Sequence, residues 1–179
     1  MADASTSGSI RLAGPDDLAV AADLLRAFNA EYDEPAPETP VLAARLANLV
    51  AAGDAVLLAG EPAVGIAVLR FRPSLWSAGS ECYLAELYVA PADRGRGLGR
   101  ALLTAVLDEA RARGADTIDL GTSEDDAAAR ALYESMGFTN REGPGGPIMY
   151  VYERELGRSD DPGGRSGAPG PRSVDEGDR

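Results

Sequence analysis

The chain has 179 residues and carries 29 acidic against 17 basic side chains, a formal net charge of −12. That length fits one domain around one core, the charge argues against a phosphate-neutralising nucleic-acid surface, and no apolar run reaches the roughly 18–20 residues that cross a bilayer. Histidine, lysine and glutamine are absent and every basic residue is arginine, which excludes Ser-His-Asp or Cys-His catalysis, a lysine Schiff base and a histidine-bearing zinc site.

In chain order, Met1–Gly8 is small and polar with no signal-peptide character and is expected to be disordered. Ile10–Leu12 reads as a short strand. Pro15-Asp16-Asp17 opens a helix running to about Ala30, with proline in the first turn and acids at its positive end. Glu31–Glu38 is a loop, and Thr39-Pro40 caps a second helix that Gly53 ends. Ala55–Ala59 and Ala63–Phe71 form a hairpin through Gly60-Glu61-Pro62. Glu81–Val89 is a strand stopped by Pro91; it holds Cys82, the single cysteine, which allows no intrachain disulfide and reads as a small buried hydrophobe.

The strongest helix follows. Leu98, Leu102, Leu103, Val106, Leu107 and Ala110 recur at three- and four-residue spacing and make one apolar face, ended by Gly114. Thr117–Leu120 is a strand and Asp125–Met136 a helix stopped by Gly137. Strands near Phe138–Thr139 and Ile148–Glu155 close the folded unit, residues 9–156. From Gly157 to Arg179 the chain is Gly-, Pro-, Ser- and charge-rich and is expected to be a disordered tail. The order β-α-α-β-β-β-α-β-α-β-β predicts an α/β (α+β) fold, a mixed sheet with helices on its faces. A soluble cytoplasmic protein with no membrane, nucleic-acid or metal partner is the expectation.

One segment carries chemistry. Arg94-Gly95-Arg96-Gly97-Leu98-Gly99-Arg100 follows a strand and runs directly into the amphipathic helix. Amides at a helix start have no intrahelical acceptor and carry the positive end of the dipole. Glycines let the main chain approach an anion closely, and three arginines add charge. An anion belongs in such a turn, with a pyrophosphate the first candidate. A dinucleotide G-x-G-x-x-G does not fit, because the sixth position is Leu102 counted from Gly97 and Arg100 counted from Gly95. A flexible linker does not fit either, since a formed apolar helix follows at once.

Arg94-x-x-Gly97-x-Gly99 resembles the (Gln/Arg)-x-x-Gly-x-(Gly/Ala) signature of the GNAT superfamily of N-acetyltransferases. Its flanks agree: Glu86-Leu87-Tyr88-Val89-Ala90-Pro91 resembles the family's fourth strand and Arg100-Ala101-Leu102-Leu103 its third helix. Ala129-Arg130-Ala131-Leu132-Tyr133-Glu134-Ser135-Met136-Gly137-Phe138 resembles its late N-x-x-A-x-x-L-Y-x-x-x-G-F element. The resemblance covers about Ile10 to Glu155.

It implies a GNAT-like sheet of about six to seven strands flanked by about four helices, with the fourth and fifth strands splayed by a bulge near Leu87–Tyr88. Acetyl-CoA is the implied cosubstrate. Main-chain groups of Leu87 and Val89, around Tyr88, are expected to hold the pantetheine arm and thioester carbonyl, and the amides from Gly95 to Arg100 the pyrophosphate, beside Arg94. An amine attacks the thioester directly, without an acetyl-enzyme. Tyr133 is the implied general acid for the leaving thiolate, or packs on the core beside Leu132 and Phe138. Glu86 is the candidate base, with Glu81 and the acids of the Glu31–Glu38 loop in reserve. Where the family commonly has asparagine on the pantetheine arm this chain has Asp126, which keeps that contact or serves only the first turn of its helix.

The acceptor side is expected at the loop Glu31-Tyr32-Asp33-Glu34-Pro35-Ala36-Pro37-Glu38 and at Phe71–Trp76. Four acids there either receive a small cationic amine or form a solvated loop. A non-catalytic acyl-CoA sensor and a protein N-acetyltransferase are the alternatives, and a homodimer is compatible with the fold.

Overall fold

A computed structural model of the chain describes residues 9–154 and 156. The expected disorder of Met1–Gly8 and of residues 157–179, and the end of the last expected strand at Glu155, lie outside the described residues. The sheet has five strands among them: β1 (Ile10–Leu12), β2 (Ala55–Ala59), β3 (Gly65–Pro73), β4 (Ser80–Val89) and β5 (Ala115–Asp119), lying side by side in chain order. The first four are antiparallel neighbours, and β5 runs parallel to β4. A parallel neighbour needs a crossover, which α3 (Leu98–Ala112) supplies.

Helices cover both faces. α1 (Leu18–Glu31), entered through a 3-10 turn at Pro15–Asp17, and α2 (Thr39–Ala51) pack together on one side. Leu18, Ala21, Ala22, Leu25 and Leu46 meet Val56, Leu58, Ile66, Val68 and Tyr88 there. On the other side Leu102, Leu103, Val106 and Ala110 of α3 meet Leu57, Ala67, Leu69, Cys82 and Leu84. The double cover explains why β2 and the first five residues of β3 are buried without alternation. Past Leu69, β3 runs out beyond the helices and exposes Arg70 and Arg72. α4 (Ala127–Ser135) follows β5 and, with the residue after it, sets Leu132, Tyr133 and Met136 against the α3-side core.

Two expectations are corrected. Five strands form instead of six to seven: Phe138–Thr139 and the described part of Ile148–Glu155 are not strands, and the chain there makes one bridge, Arg141 to Ile148. Pro144 and Pro147 lack amide donors, Gly143 and Gly145 turn with positive φ, and Glu142 N–H to Pro147 O and Met149 N–H to Asn140 O close the segment on itself. Thr39 is also not a cap. Glu38 is the residue before α2, and the Thr39 hydroxyl instead donates to Asp23 of α1 at 2.5 Å, tying the two helices together.

Leu103 is fully buried between α3 and the sheet. Leu103→Ala is expected to cost about 2–5 kcal/mol of stability, as a lost transfer term plus a cavity, read as a lower urea midpoint with unchanged slope.

Candidate active site

β4 pairs with β5 only from Ser80 to Tyr83. From Leu84 to Val89 its edge on that side has no strand partner among the described residues, so the two strands part. Against β3 the register slips: Val68 faces Glu86 and Leu69 faces Leu84, leaving Ala85 as the extra residue. The bulge therefore sits at Ala85, not at the expected Leu87–Tyr88. A bulge bends its strand and increases local twist, which is the means by which β4 turns away from β5. It also breaks the alternation of faces. Leu84 and Leu87, three apart, both pack on the α3 side, whereas Ala85 packs on the α1–α2 side. Glu86, opposite Val68, shares that second face; it is half-buried and has protein contacts of its own.

Main-chain directions follow from the ladder. Ala90 N–H donates to Val64 O at 2.8 Å, so the polar groups of Ala90 face β3. Alternation along the strand then turns those of Tyr88 toward β3 and those of Leu87 and Val89 into the gap. The Val89 carbonyl is already engaged there by Arg94 Nε at 2.8 Å.

At the end of that edge the chain makes its glycine turn. Gly95 and Gly97 have φ of +75° and +81°, which L side chains rarely adopt, and nothing lies within 4 Å of where a Cβ would stand on either. Gly97 is the N-cap of α3 and provides no side chain to its first amides. The donors of Leu98, Gly99 and Arg100 at this positive helix end suit a pyrophosphate.

The three arginines do not converge. Arg94 donates from one terminal nitrogen to both carboxylate oxygens of Glu31, at 3.0 and 2.7 Å, and its guanidinium lies 5.6 Å from the centre of the Tyr88 ring. Arg96 pairs with Asp93 at 3.1 Å. Arg100 reaches Ser135 Oγ at 2.7 Å and Met136 Sδ at 3.1 Å, joining the start of α3 to the end of α4. The partnership of Glu31 with Arg94 spans 63 positions and had no signal in the sequence.

α4 lies against the first turn of α3, since a Cβ on Gly99 would stand 3.5 Å from Leu132 Cδ2. Asp126 is the N-cap of α4, its Oδ1 accepting from Ala129 N–H at 2.9 Å. Tyr133 stacks edge-on to Phe138 at 5.8 Å. Burial, with the Asp126 charge adding to it, pushes the Tyr133 phenol up to about 12. Burial does the same for Tyr88, together with a hydrogen bond to the Glu31 carboxylate. Burial likewise lifts the Cys82 thiol to about 11 and keeps it protonated.

The acidic loop is less charged than its sequence. Glu31 is held by Arg94 and Glu38 by Arg26; Asp33 and Glu34 make no ion pair among the described residues. The other expected wall ends in Leu75 and Trp76, 88% and 92% exposed. The Ser77 hydroxyl donates to Asp116 and anchors this turn to β5. Glu81, a reserve base, is taken by Arg72 at 2.6 Å.

Residues 20–138 match the Acetyltransferase (GNAT) family, and the chain belongs to it. A crystal structure from Arthrobacter sp. FB24, assigned as an acetyltransferase without a stated acceptor, superposes with a TM-score of 0.78 at 44% identity, over 87% of this chain and 100% of that one. The mycothiol acetyltransferase of Beutenbergia cavernae is 46% identical over 69 residues, 37% of this chain and 23% of its own length. The ribosomal protein bS18-alanine N-acetyltransferase of Escherichia coli K12 is 47% identical over 58 residues, 32% of this chain and 39% of that protein. The chain thus spans well under half of these two curated relatives. No helix among the described residues is long and apolar enough to cross a membrane.

The raised phenols and thiol set the alkaline behaviour. A folded-state pKa above the unfolded value means that the native state holds its proton longer, so stability is complete below the unfolded pKa and falls as pH rises past it. The loss should begin near pH 9 with Cys82 and continue from 10 toward 12 with Tyr88 and Tyr133. Tyr133→Phe is expected to flatten the pH 10–12 part of that decline in denaturant unfolding curves.

Proposed function

We propose that the protein transfers an acetyl group from acetyl-CoA to the primary amine of a small cationic molecule, by direct attack in a ternary complex. The observation that carries this reading is the open edge of β4, where Leu87 and Val89 turn their main-chain groups into a gap that ends at the uncapped turn Gly95–Arg100. Acetyl-CoA would supply the activated thioester. The Leu87 groups and the Val89 N–H would bind its arm in the manner of an added strand, and the amides of Gly95 to Arg100 its pyrophosphate.

Glu86 is the group that takes the proton an alkylammonium must lose before its nitrogen can attack, directly or through one water. The bulge turns it to the α1–α2 face, toward the side where the acceptor loop lies. Tyr133 serves the other end, at the leaving sulfur. A phenol at about 12 is a weaker acid than an alkyl thiol at ~8.5, so complete transfer runs uphill; the hydroxyl works by donating a hydrogen bond that stabilises the developing thiolate. The carbon–nitrogen bond forms at the expense of the carbon–sulfur bond, the attacking nitrogen gives up its second proton to solvent to leave the neutral amide, and the departing thiolate takes a proton from solvent. Preference for a cation rests on Asp33 and Glu34, the loop acids that make no ion pair among the described residues. Transfer to a protein N-terminus is the second reading, favoured by the match to the bS18-alanine enzyme.

Thiol release measured over a panel of polyamines, amino sugars, amino acids and a peptide with an N-terminal alanine tests both readings. Turnover on the cationic amines is expected; turnover confined to the peptide would select the second reading. With the best acceptor, Tyr133→Phe should lower kcat about 100-fold while acetyl-CoA affinity changes less than about threefold. Unchanged kcat would remove Tyr133 from the chemistry.

A further inference from the structure

Glu31 is the last residue of α1, where a negative charge is disfavoured by the helix dipole. Its carboxylate is nonetheless turned onto Arg94, the residue that enters the glycine turn, and accepts two contacts from one guanidinium nitrogen. The same guanidinium uses Nε to hold the Val89 carbonyl at the mouth of the β4–β5 gap. Tyr88, whose backbone belongs to that stretch of β4, has its ring 5.6 Å from the Arg94 guanidinium. Phe28 of α1 packs on the Tyr88 ring at 5.4 Å. Arg94 thereby ties the turn it enters to strand β4, through Val89 and Tyr88, and to helix α1, through Glu31.

We infer that Glu31 is a positioning residue for the donor site: by clamping Arg94 it fixes the angle between the β4 edge and the Gly95–Arg100 turn, so that thioester and pyrophosphate contacts can be made together. This rests on the acetyl-CoA reading above and adds a residue outside both motifs. Arg94 acts here as a strut and not as a phosphate ligand. The side chains are partly exposed, 26% for Glu31 and 48% for Arg94, so the pair contributes little to global stability. Its effect falls on local geometry, where a misplacement of the turn is read directly in ligand affinity.

Acetyl-CoA binding to the full-length protein, measured by titration calorimetry, provides the test. Glu31→Gln is expected to weaken binding about three- to tenfold with a thermal midpoint within about 2 °C of wild type. Arg94→Ala should weaken it at least as much, and the double variant no more than Arg94→Ala, because the two residues act as one unit. Arg94→Lys keeps the charge and loses the planar fork, so it should resemble Arg94→Ala. Unchanged or tighter binding by Glu31→Gln, independent penalties in the double variant, or full rescue by lysine would overturn the clamp, the last assigning Arg94 to the phosphate as a simple charge. Wild type that binds no acetyl-CoA would overturn the proposed function and the clamp together, whereas intact wild-type binding with an indifferent Glu31→Gln removes the clamp alone.

Discussion

A strand that leaves its neighbour halfway along must do something with its main-chain groups. In this protein β4 is paired with β5 at one end and parted from it at the other, and the parting exposes donors and acceptors that would be costly to bury unpaired. The extra residue Ala85 makes it possible. It bends β4 without disturbing the buried ladder to β3, which resumes at Glu86 and Val68. The placing of Glu86, the outward turn of Leu87 and Val89 and the approach of the glycine turn all follow from that one insertion.

Much of this was legible in the residues. The apolar stripe of α3, the helix stops at Gly53 and Gly114 and the turn chemistry of Gly95 and Gly97 are local signals, and each element they predicted is present. The bulge had a faint signature too: Cys82 and Leu84 are two apart, but Leu84 and Leu87 are three apart, a break in the two-residue period of a strand. The end of the chain misled because Ile148-Met149-Tyr150-Val151-Tyr152 has strand composition, while Pro144 and Pro147 and the self-closing hydrogen bonds hold the segment off the sheet. Composition reports what a segment could pair with, and only the fold decides whether it does.

The electrostatics could not be read in the same way. An acidic loop and an arginine-rich turn looked like two opposite binding surfaces, yet one charge from each, Glu31 and Arg94, neutralise each other. Such pairing joins residues distant in the chain and leaves no periodicity. It also alters the meaning of each partner, since a side chain already satisfied by the protein shapes a site more than it recognises a ligand.

Every cationic side chain in the protein is a guanidinium. Above the open β4 edge that has a consequence for selectivity against itself. A lysine near a held thioester would be a competing nucleophile once deprotonated, whereas arginine keeps its proton beyond any ordinary pH and does not attack. Arg94 thus stands at the mouth of the gap as charge and scaffold while offering no amine. Arg96 and Arg100, held by Asp93 and by Ser135 and Met136, offer none either, so no side-chain amine of the protein competes with an incoming amine for a reactive acyl group.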